Sequence, residues 1–295
     1  MASPDGHAGR PGSRHNPAVS TGHYENFPVA SILCPAHLRA PILAIYRFAR
    51  TADDLADEGD HPKAIRLARL AEYREGLEAC FEGPRPSPWP QVFGPLAQAV
   101  RAHRLPRDPL HALLDAFVQD CANAVHPTRT SLLAYCDRSA NPIGRLLLHL
   151  YGVHDPEAHS QSDQICTALQ LINFWQDLGT DVARGRHYIP DEDLSRHDLQ
   201  RTDLHCSGEP PPQLRSLMAS LIDWSETMMR SGAPLVHRLP GRSGWELRLV
   251  VQGGLRIVAK MRAAGFDCLR YRPTIGSTEL PALLWRAAAM RHRVR

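Results

Sequence analysis

The sequence predicts an all-α fold, and two features of its 295 residues support this prediction. From Phe27 onward, apolar side chains recur at intervals of three and four residues, which places them along one face of a helix. Alternating runs of valine, isoleucine and threonine, which are typical of strands, do not occur in the sequence. We therefore expect one mostly helical domain over residues 21–295.

The helical segments follow one another along the whole of that range. Three apolar stripes mark the first segments, at residues 42–49, 65–77 and 110–117. Five further blocks have the length of a helix, at residues 131–151, 162–183, 212–230, 243–264 and 279–291. Clusters of glycine and proline predict exposed connectors at 83–88 and 208–212. Helical blocks continue with similar spacing on both sides of each connector, so one domain is favoured over two.

Composition excludes several classes of protein. The 34 lysines and arginines nearly balance the 31 acidic residues, and a formal net charge of +3 is too small for a general polyanion binder. The seven cysteines are spread singly without a C-x-x-C pair, which argues against a zinc site and a secreted disulfide framework. No apolar run is long enough to span a bilayer. We expect a cytoplasmic protein with a disordered tail at residues 1–20, which are rich in glycine, proline and serine.

The first informative motif is an acidic stripe. Asp53 and Asp57 are four residues apart, so a helix places both carboxylates on one face. Such like charges destabilise an isolated helix by about 0.2–0.5 kcal/mol, and a bound cation would reverse that effect. Arg50 lies one turn earlier on nearly the same face and offers donors suited to a phosphate oxygen. A single D-x-x-x-D pair is usually a solvated surface.

A second stripe in another helical block favours a binding site over a solvated surface. Asn173, Asp177 and Asp181 stand four residues apart and follow the apolar run 168–172, which predicts a buried helix. Two carboxylate-bearing helices that face each other supply all-oxygen ligands, which suit Mg²⁺ and the phosphate oxygens that it bridges. The two stripes therefore predict a diphosphate site. The alternative is two independent surface faces with ordinary ion pairs.

A third segment would complete such a site. It begins at Tyr135, continues through the small residues Ser139, Ala140 and Gly144, and ends in a run of leucines. Taken alone, this pattern is typical of close packing between helices. Beside a diphosphate site it also suits an elongated hydrocarbon, which needs a long apolar wall.

Together these motifs resemble those of the squalene/phytoene synthase family of all-α isoprenoid synthases. The resemblance covers about residues 24–270 and joins several motifs in the family's order. The motifs are Tyr46-x-x-x-Arg50-x-x-Asp53-Asp54-x-x-Asp57, then Tyr135 and Gly144, then Asn173-x-x-x-Asp177-x-x-x-Asp181 followed by Arg186-x-Tyr188. The resemblance implies a single-domain helical bundle with a central active-site cavity, and an enzyme that uses Mg²⁺ to ionise a prenyl diphosphate to a carbocation.

The resemblance also implies roles for individual residues. The implied Mg²⁺ ligands are Asp53, Asp57, Asn173, Asp177 and Asp181, with Asp54 assisting. The implied catalytic residues are Asp53, Asp57, Asp177, Asp181 and Tyr46. Substrate contacts are implied for Phe27, Arg50, Tyr135, Gly144, Gln176, Arg186 and Tyr188. Aromatic faces suited to stabilising a carbocation are those of Phe27, Phe48, Tyr135 and Trp175.

Within the family, the segments 25–31, 139–145 and 173–177 look most like the hydroxysqualene synthases of bacterial hopanoid pathways, which convert presqualene diphosphate and water to hydroxysqualene. Gln176 stands where many members carry arginine, and Gly253-Gly254 where some carry an aromatic residue. A neutral amide at 176 removes a cation, which argues against the joining of two farnesyl diphosphates. No G-x-G-x-x-G fingerprint is visible, so we expect water to end the reaction, with no NADPH.

Other functions stay open on sequence alone. The nearest is a head-to-head squalene or phytoene synthase. An all-α nucleotide pyrophosphohydrolase would more naturally carry E-x-x-E motifs, and a non-catalytic assembly factor of the same fold would have lost the acidic ligands that this chain keeps.

We expect an isoprenoid diphosphate as substrate, no nucleic acid partner, and association with other squalene-pathway enzymes. The C-terminal segment 280–295 combines apolar residues with four arginines, which suits peripheral contact with the inner membrane surface. An ordinary basic helix end would show the same composition.

Overall fold

The computed structural model describes residues 34–57, 61–83, 85–205 and 208–290. These residues contain no strand, and the prediction of an all-α fold is confirmed. The tail predicted at residues 1–20 and the predicted substrate contact Phe27 lie outside the described residues. No helix in the described part of the chain is long and apolar enough to cross a membrane.

The described residues form α-helices joined by short connections. In chain order the helices are α1 (Arg39–Asp57), α2 (Lys63–Glu82), α3 (Pro90–His103), α4 (Arg107–Asp120), α5 (Arg129–Ser139), α6 (Asn141–Leu150), α7 (Pro156–Gln176), α8 (Leu178–Ala183), α9 (Asp191–Arg196), α10 (Pro212–Gly232), α11 (Gly241–Ala263) and α12 (Leu280–Ala289). Short 3₁₀ helices occur at Ala36–Leu38, Arg201–His205, Ala233–His237 and Ser277–Glu279.

Two of the predicted helical blocks are each divided in the structure. Block 131–151 divides into α5 and α6 at Ala140, whose φ of −120° is not helical. Pro142 then lies in the first turn of α6, where a backbone N–H would have no partner within the helix, so proline is tolerated there. Block 162–183 divides into α7 and α8 at Asp177, inside the second acidic stripe.

The hydrophobic core consists of two clusters that share α4 and α6. The first includes α1, α2 and α3, where the rings of Phe48, Tyr73 and Phe93 lie with centroids between 4.6 and 6.5 Å apart. The second surrounds α7, which packs against α6, α10 and α11. Helix α10 approaches α7 closely, because a Cβ on Gly232 would lie only 2.5 Å from the Gln161 carbonyl oxygen. Helix α7 is thus held firmly along its length.

This packing brings the ends of several helices to one place. Helix α1 ends at Asp57 and α4 ends at Asp120, and the Cys121 thiol lies 3.9 Å from the Ala56 carbonyl oxygen, which fixes the two ends side by side. The segment after α11 folds over α8, where a Cβ on Gly179 would lie 2.0 Å from the carbonyl oxygen of residue 269. Both acidic stripes lie in this region.

Candidate active site

The first acidic stripe lies on the last turns of α1. Asp53 and Asp57 both fall within the helix, one turn apart. Arg50 turns toward the stripe: its Nη1 lies 3.1 Å from Asp53 Oδ2, and its Nη2 lies 2.7 Å from Asp54 Oδ1. The side chains of these aspartates are between 26% and 37% exposed, so they are accessible from solvent although the opposite face of α1 is in the core.

The second acidic stripe spans the junction of α7 and α8. The Asp177 N–H donates to the Asn173 carbonyl oxygen at 2.8 Å, and the Asp181 N–H donates to the Asp177 carbonyl oxygen at 2.9 Å. The stripe therefore keeps helical order across the junction, although Asp177 itself is not assigned to either helix. Asn173 is exposed, and the two aspartates are half-buried.

Arg186 links the two stripes. Its Nη2 lies 2.8 Å from Asp57 Oδ1 in the first stripe. Its positive charge also lowers the pKa of Asp181 in the second stripe, where the Asp57 carboxylate acts in the opposite direction. These interactions require the two stripes to face each other across a short gap, as the sequence predicts for a shared site.

Burial and repulsion raise the pKa values of carboxyl groups on both stripes. Burial raises the pKa of Asp53 to about 6, and the neighbouring Asp57 carboxylate adds to the increase. Burial likewise raises the pKa of Asp181 to about 6, with the Asp177 carboxylate as the second cause. A cation between the stripes would oppose both effects and keep the carboxyl groups ionised.

The chemistry of the donor set fits Mg²⁺. Asn173 and the five aspartates of the stripes offer only oxygen ligands, which Mg²⁺ prefers. In the part of the chain that the structure describes, no three histidine, cysteine or acidic side chains converge closely enough to hold an ion as they are placed. Arginines contact the carboxylates instead. Metal binding would therefore exchange arginine contacts for metal contacts at the same oxygens, and the ligand set stays a prediction.

A third arginine, which no sequence motif predicts, lies at the second stripe. Arg272 follows α11 and forms an ion pair with Asp177, with its Nη2 3.3 Å from Asp177 Oδ2. The neighbouring Gln176 is buried, and its side-chain amide donates a hydrogen bond of 2.5 Å to the Pro273 carbonyl oxygen. A cation is therefore present at this edge of the site although residue 176 is a glutamine, contrary to the expectation from sequence. Arg272 supplies the charge from a distant part of the chain.

A cavity of about 440 Å³ opens beside this segment. Its lining includes Gln176, Thr180, Arg184, Arg270 and Arg272, and none of the described residues that line it is acidic. Guanidinium groups are suited to bidentate contacts with phosphate oxygens. A substrate contact by Gln176 would be made from this cavity, and it stays a prediction.

Three aromatic rings of the core cluster around α7 pack together near the second stripe, and we call them the aromatic wall. Phe174 and Tyr188 stack with ring centroids 3.8 Å apart, and the Tyr135 ring lies 6.2 Å from the first and 6.1 Å from the second. Phe48 and Trp175 are completely buried in the hydrophobic core, and the contacts predicted for their faces with a carbocation stay predictions.

Asp120 is a site residue that belongs to neither acidic motif. It is the last residue of α4 and is half-buried near Tyr135. Burial raises the pKa of Asp120 to about 7, the nearby Tyr135 hydroxyl opposes the increase, and the Asp57 and Asp53 carboxylates add to it. The sequence signal for Asp120 is its position, because the helix dipole disfavours an acidic side chain at a helix C-terminus.

Tyr46 and Gly144 occupy different settings. Tyr46 is half-buried on α1, two turns before Asp53 on the same helix. Gly144 is buried where α6 crosses α7, and a Cβ there would lie 2.3 Å from Ser162 Oγ and 2.7 Å from Cys166 Sγ. The structure thus gives Gly144 a role in helix packing. The catalytic role of Tyr46 and the substrate contact of Gly144 stay predictions.

The substitution Asp120→Asn is expected to stabilise the protein more at about pH 7.5 than at about pH 5. The pKa of Asp120 is about 7 in the folded protein and near 3.8 without the fold. The folded state therefore holds a proton that the unfolded chain releases, and stability is lost as the pH rises through this window. Asparagine removes that loss.

Thermal melts in EDTA at both pH values test this expectation. The gain in melting temperature over the wild type should be larger at the higher pH, whereas an equal gain at both would contradict it. Asp115→Asn is the matched control, because Asp115 lies on the same helix but is exposed and pairs with Arg74.

Comparisons with known proteins point to one family. A model described as squalene/phytoene synthase matches residues 20–279. The hydroxysqualene synthase of Zymomonas mobilis is 38% identical over 214 residues, which cover 71% of this chain and 70% of that protein. The presqualene diphosphate synthase of Rhodopseudomonas palustris is 27% identical over 260 residues, 88% of this chain and 91% of that one. The crystal structure of squalene synthase HpnC from Alicyclobacillus acidocaldarius matches with a TM-score of 0.75 and 34% identity, over 83% of this chain and 90% of that one.

Proposed function

The chain belongs to the squalene/phytoene synthase family, and on that premise we propose that it converts presqualene diphosphate and water to hydroxysqualene and diphosphate. This family consists of enzymes that process isoprenoid diphosphates, which supports an enzymatic role. The proposed reaction is a magnesium-dependent carbon–oxygen cleavage that needs no nicotinamide.

The observation that carries this proposal is the meeting of the two acidic stripes at Arg186, beside the wall formed by Phe174, Tyr188 and Tyr135. The stripes supply oxygen ligands and arginines for a diphosphate head. The rings supply an apolar surface for a hydrocarbon and aromatic faces for a carbocation. The likeness to the Zymomonas enzyme, at 38% identity, supports water as the group that ends the reaction.

The proposed mechanism begins with departure of the diphosphate. Bound Mg²⁺ would neutralise the charge on the leaving group. The residues predicted to hold this Mg²⁺ are Asp53, Asp54, Asp57, Asn173, Asp177 and Asp181. Arg50, Arg186 and Arg272 stand where their guanidinium groups can donate to diphosphate oxygens as negative charge develops. Tyr46 and Tyr188 are proposed to orient the diphosphate, and the aromatic wall to stabilise the cation and exclude bulk water.

A specific observation also favours a second function, the head-to-head joining of two prenyl diphosphates. Arg272 restores a cation at the second stripe, so the charge needed to handle a second diphosphate is present. The likeness to the presqualene diphosphate synthase of Rhodopseudomonas palustris points the same way. The two functions differ in the substrate that they consume, which makes them separable by experiment.

Product identification with each substrate supplied alone tests the proposal. Presqualene diphosphate with Mg²⁺, and without any nicotinamide, is expected to give an allylic C30 alcohol. Farnesyl diphosphate alone should give little or no C30 product. Efficient formation of presqualene diphosphate, squalene or a carotenoid precursor from simple prenyl diphosphates would instead assign the chain to the head-to-head branch.

We also propose that α12 contacts an anionic membrane surface. Leu283 and Ala287 are buried, whereas Leu280, Leu284 and Trp285 are exposed by 52%, 54% and 72%. Four arginines accompany these side chains in the C-terminal segment 280–295. An exposed apolar face with adjacent basic residues is typical of helices that lie on anionic bilayers, and the greasy substrate and product of the proposed reaction reside in membranes.

Trp285→Ser is expected to weaken sedimentation with phosphatidylglycerol-containing vesicles about tenfold. Ile65→Ser is the matched control, because Ile65 is 48% exposed on α2 and should not affect binding. Equal sedimentation of wild type and Trp285→Ser, or no preference for anionic over zwitterionic vesicles, would contradict a membrane role for α12.

A further inference from the structure

We infer that Glu279 is a positioning residue, which holds Arg272 against the second acidic stripe by fastening the segment that carries it. We call this segment, residues 268–279, the strap. The inference rests on one part of the proposed function, the donation of a hydrogen bond from Arg272 to a diphosphate oxygen. It assigns a role to a side chain that belongs to neither acidic stripe and pairs with α11 instead.

The strap does not hold Arg272 in place through its own secondary structure. Residues 271–276 belong to no helix, so no helical hydrogen bonds fix the position of the Arg272 backbone. Close packing fixes the beginning of the strap, where a Cβ on Gly179 of α8 would lie 2.0 Å from the Leu269 carbonyl oxygen. The ion pair of Arg272 with Asp177 therefore depends on the contacts that the rest of the strap makes with other helices.

Two neighbouring carbonyl oxygens fasten the strap directly after Arg272. The Gln176 side-chain amide, at the end of α7, donates to the Pro273 carbonyl oxygen at 2.5 Å. The Lys260 ammonium group, on α11, donates to the Thr274 carbonyl oxygen at 2.5 Å. Two donors on two helices thus hold successive residues of the strap, and the loss of either bond would let the backbone move at Arg272.

Glu279 fixes the ammonium group that makes the second of these bonds. Its Oε2 lies 2.6 Å from Lys260 Nζ, and its Oε1 lies 2.6 Å from Arg256 Nε. Lys260 and Arg256 are one turn apart on α11, so both cations lie on the same face of that helix. The Gly276 N–H donates to Glu279 Oε2 at 2.9 Å. Glu279 therefore binds two cations of α11 and the backbone of the strap at once.

These contacts are stronger than those of a typical surface ion pair. The side chains of Glu279 and Lys260 are only 17% and 22% exposed. Hydrogen bonds from Lys260 and from the Gly276 N–H lower the pKa of Glu279 to about 2, although burial opposes the decrease. Charge-assisted hydrogen bonds to a shielded carboxylate are stronger than exposed ion pairs. A neutral side chain at 279 would leave two like charges one turn apart, and Lys260 would no longer be held beside Thr274.

A double-mutant cycle with Arg272 tests the inference. Glu279→Gln is expected to lower the kcat of diphosphate release about tenfold with little change in KM, because the displaced guanidinium acts on the charge that develops as diphosphate leaves. In the Arg272→Gln background the same change should have no further effect. Lys260→Met should behave as Glu279→Gln does, and Glu279→Asp should recover part of the lost rate because it keeps the charge. The substrate is whichever of presqualene diphosphate and farnesyl diphosphate the wild type consumes, with Mg²⁺.

Glu226→Gln is the matched control for the loss of a shielded carboxylate. Glu226 is 12% exposed and also bridges two basic residues, Arg230 and Arg262, but it lies on α10. The kcat of this variant should stay within about threefold of the wild type, even where its melting temperature falls as far as that of Glu279→Gln.

Trypsin cleavage after Arg270 gives a readout that does not require activity. Arg270 is an exposed residue of the strap, two positions before Arg272. A strap released from α11 should be cut at the 270–271 bond several-fold faster in Glu279→Gln than in the wild type, with the other cleavage sites unchanged. Mass spectrometry of the native protein during digestion measures the rate at each bond. Glu226→Gln should be cut at the 270–271 bond at the wild-type rate.

Two results would overturn the inference. A wild-type kcat in Glu279→Gln, or an equal loss of rate in the wild-type and Arg272→Gln backgrounds, would show that Glu279 does not act through Arg272. Failure of the proposed function is a separate result. A wild type that consumes farnesyl diphosphate in place of presqualene diphosphate would refute the proposed reaction and leave the cycle to decide the role of Glu279, whereas a wild type that consumes neither would refute both.

Discussion

Replacing Asp57 by asparagine is expected to lower the turnover of presqualene diphosphate by a factor on the order of 10²–10³. Asp57 is a predicted metal ligand, and it is also the residue through which Arg186 links the first stripe to the second. Asparagine keeps the shape of the side chain but removes its charge, so it weakens a divalent-cation site and leaves Arg186 without its main partner. Asp177→Asn should have an effect of similar size, for the same reason, at the second stripe.

The measurement is diphosphate release as a function of Mg²⁺ concentration. The two variants should require more Mg²⁺ for half-maximal rate, and EDTA should abolish the activity of the wild type. Asp115→Asn serves as the control for loss of a surface carboxylate. Full activity of the wild type or of either variant in EDTA would refute the metal site. Thermal melts without metal should show only small changes for Asp57→Asn, because the lost ion pair with Arg186 is offset by the lost repulsion with Asp53.

The acidic stripes could be predicted from sequence because their geometry is local. A spacing of four residues fixes the relative position of two side chains on a helix, whatever else the helix contacts. Asn173, Asp177 and Asp181 keep that relation even where α7 gives way to α8, since the backbone hydrogen bonds continue through the junction. The division of α5 from α6 was also within reach, because Asn141-Pro142 is a typical start of a helix.

The contributions of Asp120 and Arg272 could not be predicted in this way. Each reaches the site through contacts between segments far apart in sequence: Asp120 through the packing of α4 against α1, and Arg272 through the fold of the segment after α11 over α8. No periodicity encodes such contacts. The same limit explains why the sequence predicts a loss of charge at Gln176, since one position in the sequence does not show whether another element supplies a cation there.

Arg272→Gln is expected to lower turnover roughly 10²-fold, whichever branch of the family reaction the chain performs. The guanidinium of Arg272 contacts Asp177, so it places a cation at the second stripe next to the glutamine at position 176. Glutamine there would leave the developing charge on diphosphate with one donor group fewer. The loss should appear mainly in kcat, because the charge is larger in the transition state than in the bound substrate.

Arg270→Gln is the matched control, because Arg270 lies in the same segment and cavity lining and forms an ion pair with Asp267. Its turnover should stay within about threefold of the wild type.

Gln176→Arg, by contrast, should not enable the use of farnesyl diphosphate. Gln176 is 1% exposed and bonded to the Pro273 carbonyl, so an arginine would place a charge in the core and displace the segment that carries Arg272. Equal activity of Arg272→Gln and Arg270→Gln would show that the second stripe functions without its cation, and a Gln176→Arg variant that joins farnesyl diphosphates efficiently would show that position 176 alone sets the branch.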